Sequence, residues 1–180
     1  MVTRLRLISQ SLASADTVAR LTGYKYQPAE VQSVLEPASG IVEAIAGWGR
    51  AARRGLYLIS EQAPLGPVWT LPIYPVRSIT AVRRAGIDVT ADARLENDCQ
   101  IRYETWDWER LQETSLTVEA EVEAGYDQNE APTNILLAVA VAADMILSQT
   151  SIGPRELSVP GLKISLPTIA EAIKGVIDAS

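Results

Sequence analysis

The sequence predicts an α+β protein in which N-terminal helices and a long apolar helix of the C-terminal half pack as a small helical bundle, with a β-hairpin or sheet insert between them. First, apolar residues recur at spacings of three and four over residues 31–48, as in a helix with one buried stripe. Second, turn residues and β-rich runs fill residues 55–126. Third, residues 133–149 are apolar on almost every side, which is typical of a central core helix.

Three helices are predicted, over residues 14–22, 28–50 and 133–149. Ser14 is a suitable N-cap for the first helix, and Gly23 ends it. Pro28 suits the first turn of the second helix, and Pro37 predicts a kink or a break within it, because proline removes a backbone donor and clashes with the preceding turn. Asp144 is the only charge in the third helix, and we expect it at the rim of the core or paired with an arginine.

The β insert is predicted over residues 56–124, and a short strand is also expected near residues 3–8. The clearest strand of the insert covers residues 116–124, where apolar and polar residues alternate. A period of two gives a strand one buried face and one solvated face. The solvated face of this strand is acidic and carries Glu119, Glu121 and Glu123.

The chain is therefore divided into a domain of residues 1–149 and a C-terminal extension of residues 150–180. In the extension, Val159-Pro160-Gly161 predicts a turn, and the alternation that follows predicts a short strand. Thr168 and Glu171 form a capping box for a final amphipathic helix. The apolar residues of the strand are Leu162, Ile164 and Leu166, and those on one face of the helix are Ile169, Ile173, Val176 and Ile177.

Composition places the chain among globular domains, since 47% of its 180 residues are hydrophobic and 21% are charged. A single cysteine, Cys99, excludes an intramolecular disulfide and fits folding in a reducing compartment. The net charge of -6 argues against nucleic-acid binding, which depends on clustered Lys and Arg. No signal-peptide core is evident, and no apolar run reaches the roughly 20 residues of a membrane span.

The sequence contains no histidine, so the commonest general base and the commonest metal ligand are both missing. Cys99 follows an acidic residue and lacks the electropositive surroundings of a reactive thiol. No phosphate-binding glycine loop and no EF-hand loop occurs. We therefore predict a protein that is not an enzyme, with no catalytic residue, no metal site and no cofactor. The alternative from another class is a small metal-dependent hydrolase that uses the acidic residues.

Arg50, Arg53 and Arg54 lie at the C-terminus of the second predicted helix. The plain interpretation is that they offset the negative end of the helix dipole. The alternative is a contact between subunits, in which these arginines of one protomer meet the acidic strand of the next. Trp106 and Trp108 are further candidates for a subunit interface, because tryptophan is enriched there.

Three groups of residues in a fixed order carry a family resemblance. They are Ile41-Val42-Glu43-Ala44 with Trp48-Gly49-Arg50, then Leu71-Pro72-Ile73-Tyr74-Pro75-Val76-Arg77-Ser78-Ile79-Thr80-Ala81-Val82, and finally Val122-Glu123-Ala124-Gly125-Tyr126 with Ala131-Pro132 before Ile135-Leu136-Leu137-Ala138. Over residues 1–149, their order and spacing resemble those of the tailed-phage head-tail connector family, also called adaptor or head completion proteins.

The resemblance implies a non-enzymatic virion protein, a small α+β protomer that assembles as a closed, usually dodecameric ring beneath the portal protein. Its implied partners are the portal, neighbouring copies of itself in the ring, and a stopper or tail-completion protein. DNA passes through the ring without specific binding, and no membrane is involved. The implied location is the virion neck, after assembly in the host cytoplasm. Another neck or tail-completion protein is the alternative within this class.

The resemblance also assigns roles to two segments. The C-terminal extension is expected to dock on the portal through its apolar residues, with Ile169, Ile173 and Ile177 as the anchoring face. Packing of that helix on its own subunit is the alternative, because any amphipathic helix needs apolar surface to cover. The acidic strand is expected to line the DNA channel or to form the interface between subunits.

Overall fold

The computed structural model describes residues 1–62, 67–104, 117–151 and 166–178. In chain order the elements are β1 (Val2–Leu7), α1 (Ala15–Leu21), α2 (Pro28–Ala46), α3 (Trp48–Ala51), β2 (Gly55–Gln62), β3 (Val68–Thr70), β4 (Val76–Arg84), β5 (Ile87–Asp88), β6 (Ala93–Asn97), β7 (Gln100–Tyr103), β8 (Thr117–Ala124), α4 (Thr133–Ser151) and α5 (Leu166–Asp178). A short 3-10 turn at Thr90–Asp92 lies between β5 and β6.

The chain divides into two units, each built from two separated stretches. Unit 1 comprises Met1–Ile8 and Trp48–Gly125 and contains the described strands and α3. Unit 2 comprises Ser9–Gly47 and Tyr126–Ser180 and contains α1, α2, α4 and α5.

A five-stranded antiparallel sheet in unit 1 has the order β1-β2-β8-β4-β5. β8 is its central strand and pairs with β2 on one side and β4 on the other. β1, the strand expected near residues 3–8, pairs with β2 and has a bulge at Leu5. Two further bulges, at Arg77 and Thr80, interrupt the pairing of β4 with β8. Bulges bend and twist a strand, which helps a sheet to curve around its core.

The core of unit 1 combines side chains from this sheet with side chains from a three-stranded antiparallel sheet of order β3-β7-β6. Tyr57 and Ile59 of β2 and Ile101 of β7 are fully buried there. Every second residue of β2 and β8 points into this core, as their alternating burial shows. Each large side chain buried in this way stabilises the fold by about 1.5–3 kcal/mol.

Gly125 ends β8 at a place where only glycine fits. Its φ is +95°, and an added Cβ would lie 2.5 Å from the carbonyl carbon and oxygen of Arg53. Its N–H donates to the Pro75 carbonyl at 2.7 Å, and its own carbonyl accepts from Arg77 Nε at 3.0 Å. The close backbone approach therefore ties the end of the central strand to the residues that precede β2 and β4.

In unit 2, α1 and α2 begin at residues whose side chains cap them. Ser14 Oγ accepts a hydrogen bond from the Thr17 N–H at 3.2 Å, which confirms the predicted N-cap. Gln27 and Glu30 form a capping box at the start of α2, which the sequence analysis missed. α2 continues through Pro37 without a break.

The second predicted helix, residues 28–50, is two helices in the structure. α2 ends at Gly47, whose φ of 79° cannot continue a helix, and α3 begins at the next residue. The predicted apolar stripe is confirmed within α2, where one side of the helix is buried. Its buried apolar residues are Val31, Val34, Leu35, Ala38 and Val42.

The class α+β is correct, but the prediction of a helical bundle with a β insert is wrong. The strands form two sheets with a core of their own, and β1 precedes every helix, so the sheet is not an insertion. No described helix is long and apolar on all sides: α4 buries Ile135 and Val139 but leaves Leu137 39% exposed. Apolar composition did not require burial on every side, because much of any protein surface is itself apolar.

Replacing Gly125 by alanine is expected to destabilise the protein by about 3 kcal/mol, because the methyl group would clash with the Arg53 backbone at a positive φ. Gly86→Ala is the matched control in the same unit: its φ is +78°, but an added Cβ would meet nothing within 4 Å. The control should lose only about 1–2 kcal/mol, the backbone cost alone. Denaturant unfolding of both variants measures the difference, and equal losses would contradict the steric argument.

Tyr103 predicts a specific alkaline sensitivity of unit 1. Burial raises the pKa of its hydroxyl to about 12, and the charge of Arg84 opposes this rise. An unfolded tyrosine has a pKa of about 10, so the unfolded chain loses the proton first and the protein loses stability as pH rises from about 10 to about 12. Tyr103→Phe removes this titration. Denaturant unfolding over that range should show a steeper loss for the wild type, and parallel curves would rule out the effect.

Candidate functional site

The acidic face predicted for the central strand is present in the structure. Val118, Ala120, Val122 and Ala124 of β8 are buried in the core of unit 1. Glu119, Glu121 and Glu123 alternate with them on the opposite face and are partly exposed. The sequence period of two thus translates directly into two faces, and the three carboxylates lie in a row along the middle of the sheet.

Apolar side chains lie beside these carboxylates on the same face of the sheet. Leu58 of β2 pairs with Glu121 of β8, and Leu56 pairs with Glu123. Residues that are directly opposite in an antiparallel pair have Cβ atoms about 4.5–5.5 Å apart. Leu56 and Leu58 are partly exposed, although their neighbours Tyr57 and Ile59 are fully buried. The outer face of β2 and β8 therefore combines leucines with carboxylates.

The structure separates the three arginines that the sequence placed in one group. Arg54 pairs with Glu123 of the same chain, with Nη2 2.6 Å and Nε 2.7 Å from Oε1. Arg53 is only 5% exposed, and its carbonyl accepts a hydrogen bond from the Tyr57 hydroxyl. Arg50 is exposed on α3. The expected meeting of arginine and acidic strand thus occurs within one chain for Arg54, while their role between subunits stays a prediction.

Trp48 lies in a cluster of unit 1 that the sequence did not reveal. The guanidinium carbon of Arg4 lies 5.5 Å from the centroid of the Trp48 ring, a cation–π distance. The Tyr57 ring meets Trp48 edge to face at a centroid distance of 5.4 Å. Arg4 and Trp48 are far apart in sequence, so no local pattern could have indicated their contact.

In unit 2, Asp144 of α4 holds the loop between α1 and α2. Its Oδ1 accepts hydrogen bonds from Lys25 Nζ and from the Tyr26 hydroxyl, each at 2.7 Å. Burial raises the pKa of Asp144, but the hydrogen bonds from Lys25 and Tyr26 outweigh burial, so the pKa of Asp144 lies below its ordinary value. The hydrogen bond to Asp144 is in turn the main reason why the pKa of Lys25 is raised. The rim position is confirmed by a side chain that is 38% exposed, whereas the partner is a lysine and not the expected arginine.

An exposed apolar patch lies next to this ion pair. Leu21 is 38% exposed and Tyr24 69% exposed, and Tyr24 adopts a φ of 58° that is unfavourable for an aromatic residue. Leu21 and Leu137 line an open groove of about 260 Å³ whose other walls are Thr22, Lys25, Ala140, Val141 and Asp144. The charged residues of the groove walls are Lys25 and Asp144, and Arg20 is exposed at the end of α1.

The C-terminal helix supplies two of the residues predicted for docking. Ile173 is fully buried and Ile177 is 4% exposed, and Asn134 Nδ2 of α4 donates to the Ile177 carbonyl at 3.2 Å. Both isoleucines are therefore packed within unit 2. Leu166 and Ile169 belong to α5, but their side chains are not among the described ones. Leu162 and Ile164, and the interface candidates Trp106 and Trp108, lie outside the described residues.

The described residues contain neither a metal-ligand cluster nor a membrane-spanning helix. Within residues 1–62, 67–104, 117–151 and 166–178, no three potential ligands among Cys, Asp and Glu come together as a metal site would require. None of the helices in those ranges has both the length and the apolar character needed to cross a bilayer. Cys99 is partly exposed and has a free thiol.

Sequence comparison finds no matching family model and no significantly similar curated protein. Comparison of the fold with solved structures does find matches. A chain of the virion of a native gene transfer agent (GTA) particle is 22% identical, with a TM-score of 0.57, over 96% of this chain and 92% of that chain. A chain of the neck of an empty GTA particle, computed with C6 symmetry, is 21% identical, with a TM-score of 0.55 over the same fractions.

A third match is to a chain of the neck of a native GTA particle computed with C12 symmetry. It is 17% identical, with a TM-score of 0.50, over 96% of this chain and 94% of that chain. At these identities the likeness is one of fold. The chain therefore shares its fold, over nearly its whole length, with chains found in structures of gene transfer agent particles and their necks.

Proposed function

We propose that this chain is a structural protein of the neck of a tailed phage or phage-like particle, where it forms a ring that joins the portal of the capsid to the tail or stopper. The observation that carries the proposal is the likeness of fold, over 96% of the chain, to chains from GTA neck structures. The resemblance of residues 1–149 to the connector family points to the same place in the virion.

The ring part of the proposal draws on symmetry. Two of the similar neck structures were computed with C6 and C12 symmetry, which supports an assembly of six or twelve repeats. A closed ring needs a heterologous contact, in which two different surfaces of one chain meet around a rotation axis. We propose twelve copies, as the connector resemblance implies. Another neck or tail-completion protein with the same fold is the second candidate, and the same likeness favours it.

The charge of the chain is compatible with a DNA channel through such a ring. With a net charge of -6, the protein has little capacity to neutralise phosphates, so DNA is expected to pass without specific binding. The acidic face of Glu119, Glu121 and Glu123 is assigned either to the lumen of the channel or to the contact between copies. Glu123 of that face is paired with Arg54, and Glu119 lies directly opposite Arg83 of β4, so basic side chains offset part of its negative charge.

We assign portal docking to the C-terminal extension, residues 150–180. Ile173 and Ile177 are buried within unit 2, so their apolar surface is already used by the chain itself. The docking residues in this proposal are therefore Leu162, Ile164, Leu166 and Ile169. The alternation of apolar and polar residues from 162 to 166 would supply one apolar edge for the portal.

Mixing the purified protein with isolated portal particles tests the ring. We expect a ring of twelve copies on one end of the portal, seen by electron microscopy and counted from the mass of the complex. Because some adaptors form rings only on the portal, the protein alone is expected to be monomeric or weakly associated. A mixture of the protein with purified tails, without portal particles, serves as the control. Binding to tails and not to portals would replace this proposal by that of a tail-completion protein.

Replacing Leu162 and Ile164 together by aspartate is expected to abolish binding to the portal, because charged groups cannot enter an apolar contact without a large desolvation cost. Lys163→Asp is the matched control, since it makes the net charge more negative by the same two charges at a polar position of this segment. Co-sedimentation with portal particles measures binding, and thermal unfolding checks that the fold is kept. Normal binding by the double variant would remove this segment from the docking surface.

A further inference from the structure

We infer that the ring contact joins two particular surfaces of the chain: the outer face of β2 and β8 of one copy, and the exposed surface of α1 and α4 of the next. This inference rests on the proposed ring and names its interface. The first surface, the acidic sheet patch, is defined by Leu56, Leu58, Glu119 and Glu121. The second, the basic helix patch, is defined by Arg20, Leu21, Tyr24 and Leu137.

The acidic sheet patch combines apolar surface with two carboxylates: Glu119 lies directly opposite Arg83 of β4, whereas Glu121 lies opposite Ala81 of β4 and Leu58 of β2. Glu123 is neutralised by Arg54, but neither Glu119 nor Glu121 makes a hydrogen bond or an ion pair with any described residue. Both lie partly buried in the middle of a sheet, where a carboxylate loses some of its hydration. A partner with one cation and some apolar surface would satisfy this patch.

The basic helix patch has the opposite character. Arg20 is exposed, and within the described residues its guanidinium has no hydrogen bond and no carboxylate partner. Leu21, Tyr24 and Leu137 are 38%, 69% and 39% exposed, and Leu21 and Leu137 line the same groove. Tyr24 is kept in the left-handed region by a hydrogen bond from its N–H to the Ala19 carbonyl at 2.7 Å. Exposed aromatic residues next to arginine are the composition of an interface centre.

The groove beside Leu21 and Leu137 indicates what kind of partner this patch accepts. Its volume of about 260 Å³ is below the roughly 300–1,000 Å³ of pockets for drug-sized ligands, and its walls are mostly aliphatic. Such a space fits one or two aliphatic side chains from a protein surface. Leu56 and Leu58 provide two leucines separated by one residue on the same strand face. The apolar parts of the two patches therefore match in size as well as in chemistry.

A second copy of the chain is the occupant that these features favour. One chain carries both patches, with opposite charge and similar apolar content, which is the requirement for a heterologous contact that repeats around a ring. Charge complementarity of this kind sets the register and excludes contacts of each patch with itself. Arg20 takes the role that the sequence suggested for Arg53 and Arg54, because Arg53 is buried and Arg54 is already paired within its own chain.

Charge reversal on each side of the contact tests the inference. Glu121→Lys and Arg20→Glu are each expected to weaken ring assembly on portal particles by about tenfold or more, because like charges would face each other across the interface. The variant that carries both reversals should assemble nearly as well as the wild type. Copies per portal are counted by electron microscopy and by the mass of the complex, and thermal unfolding verifies that each variant is folded.

Glu36→Lys is the matched control, since Glu36 is an exposed carboxylate on α2 outside both patches, and it should assemble normally. A second readout uses Arg20→Cys combined with Glu121→Cys on a Cys99→Ser background, which should give a ladder of disulfide-linked multimers after oxidation. The interface is overturned if the two single reversals assemble normally, or if the combined reversal is no better than either. If the wild type forms no ring on portals and the cysteine variant no ladder, the ring proposal fails together with its interface.

Discussion

The alternation of residues along β8 is the constraint on which the rest of unit 1 depends. Because this strand is paired on both sides, its register fixes the registers of β2 and β4. A slip by one residue would turn Glu119 and Glu121 into the core and expose the valines. Burying unpaired carboxylates costs several kcal/mol each, so the acidic face excludes the wrong register as effectively as the valines favour the correct one. The glutamates of β8 thus help to specify the register of the sheet, and the same carboxylates remain on its solvated face, where they can contact another molecule.

Periodic features of the sequence predicted local structure well. The period of two in β8, the apolar stripe of α2 and the N-cap at Ser14 all appear in the structure, because each depends on residues close in sequence. The predicted bundle failed for a different reason. Nothing in residues 3–8 indicates that this strand joins β2, which lies about fifty residues later, and that pairing is what makes the sheet more than an insert.

The candidate surfaces show the same division between local and distant information. The acidic row was visible from its spacing, and so was the group of three arginines. The sequence did not show which arginine contacts the acidic row of β8, since the ion pair of Arg54 with Glu123 depends on the pairing of β2 with β8. The exposure of Arg20 was also hidden, because a helix of seven residues with three buried positions gives too weak a pattern to identify its outer side. Surfaces of this kind require the tertiary structure.

The way in which the two units share the chain has a consequence for how the protein is made. Unit 1 is interrupted by residues 9–47, and unit 2 by residues 48–125. During synthesis, β1 leaves the ribosome before its partner strand and cannot pair until β2 follows. Likewise, the apolar sides of α1 and α2 are not fully covered until α4 has been synthesised. Neither unit corresponds to a continuous fragment of the gene, so a cut or a premature stop in the middle of the chain leaves both of them incomplete.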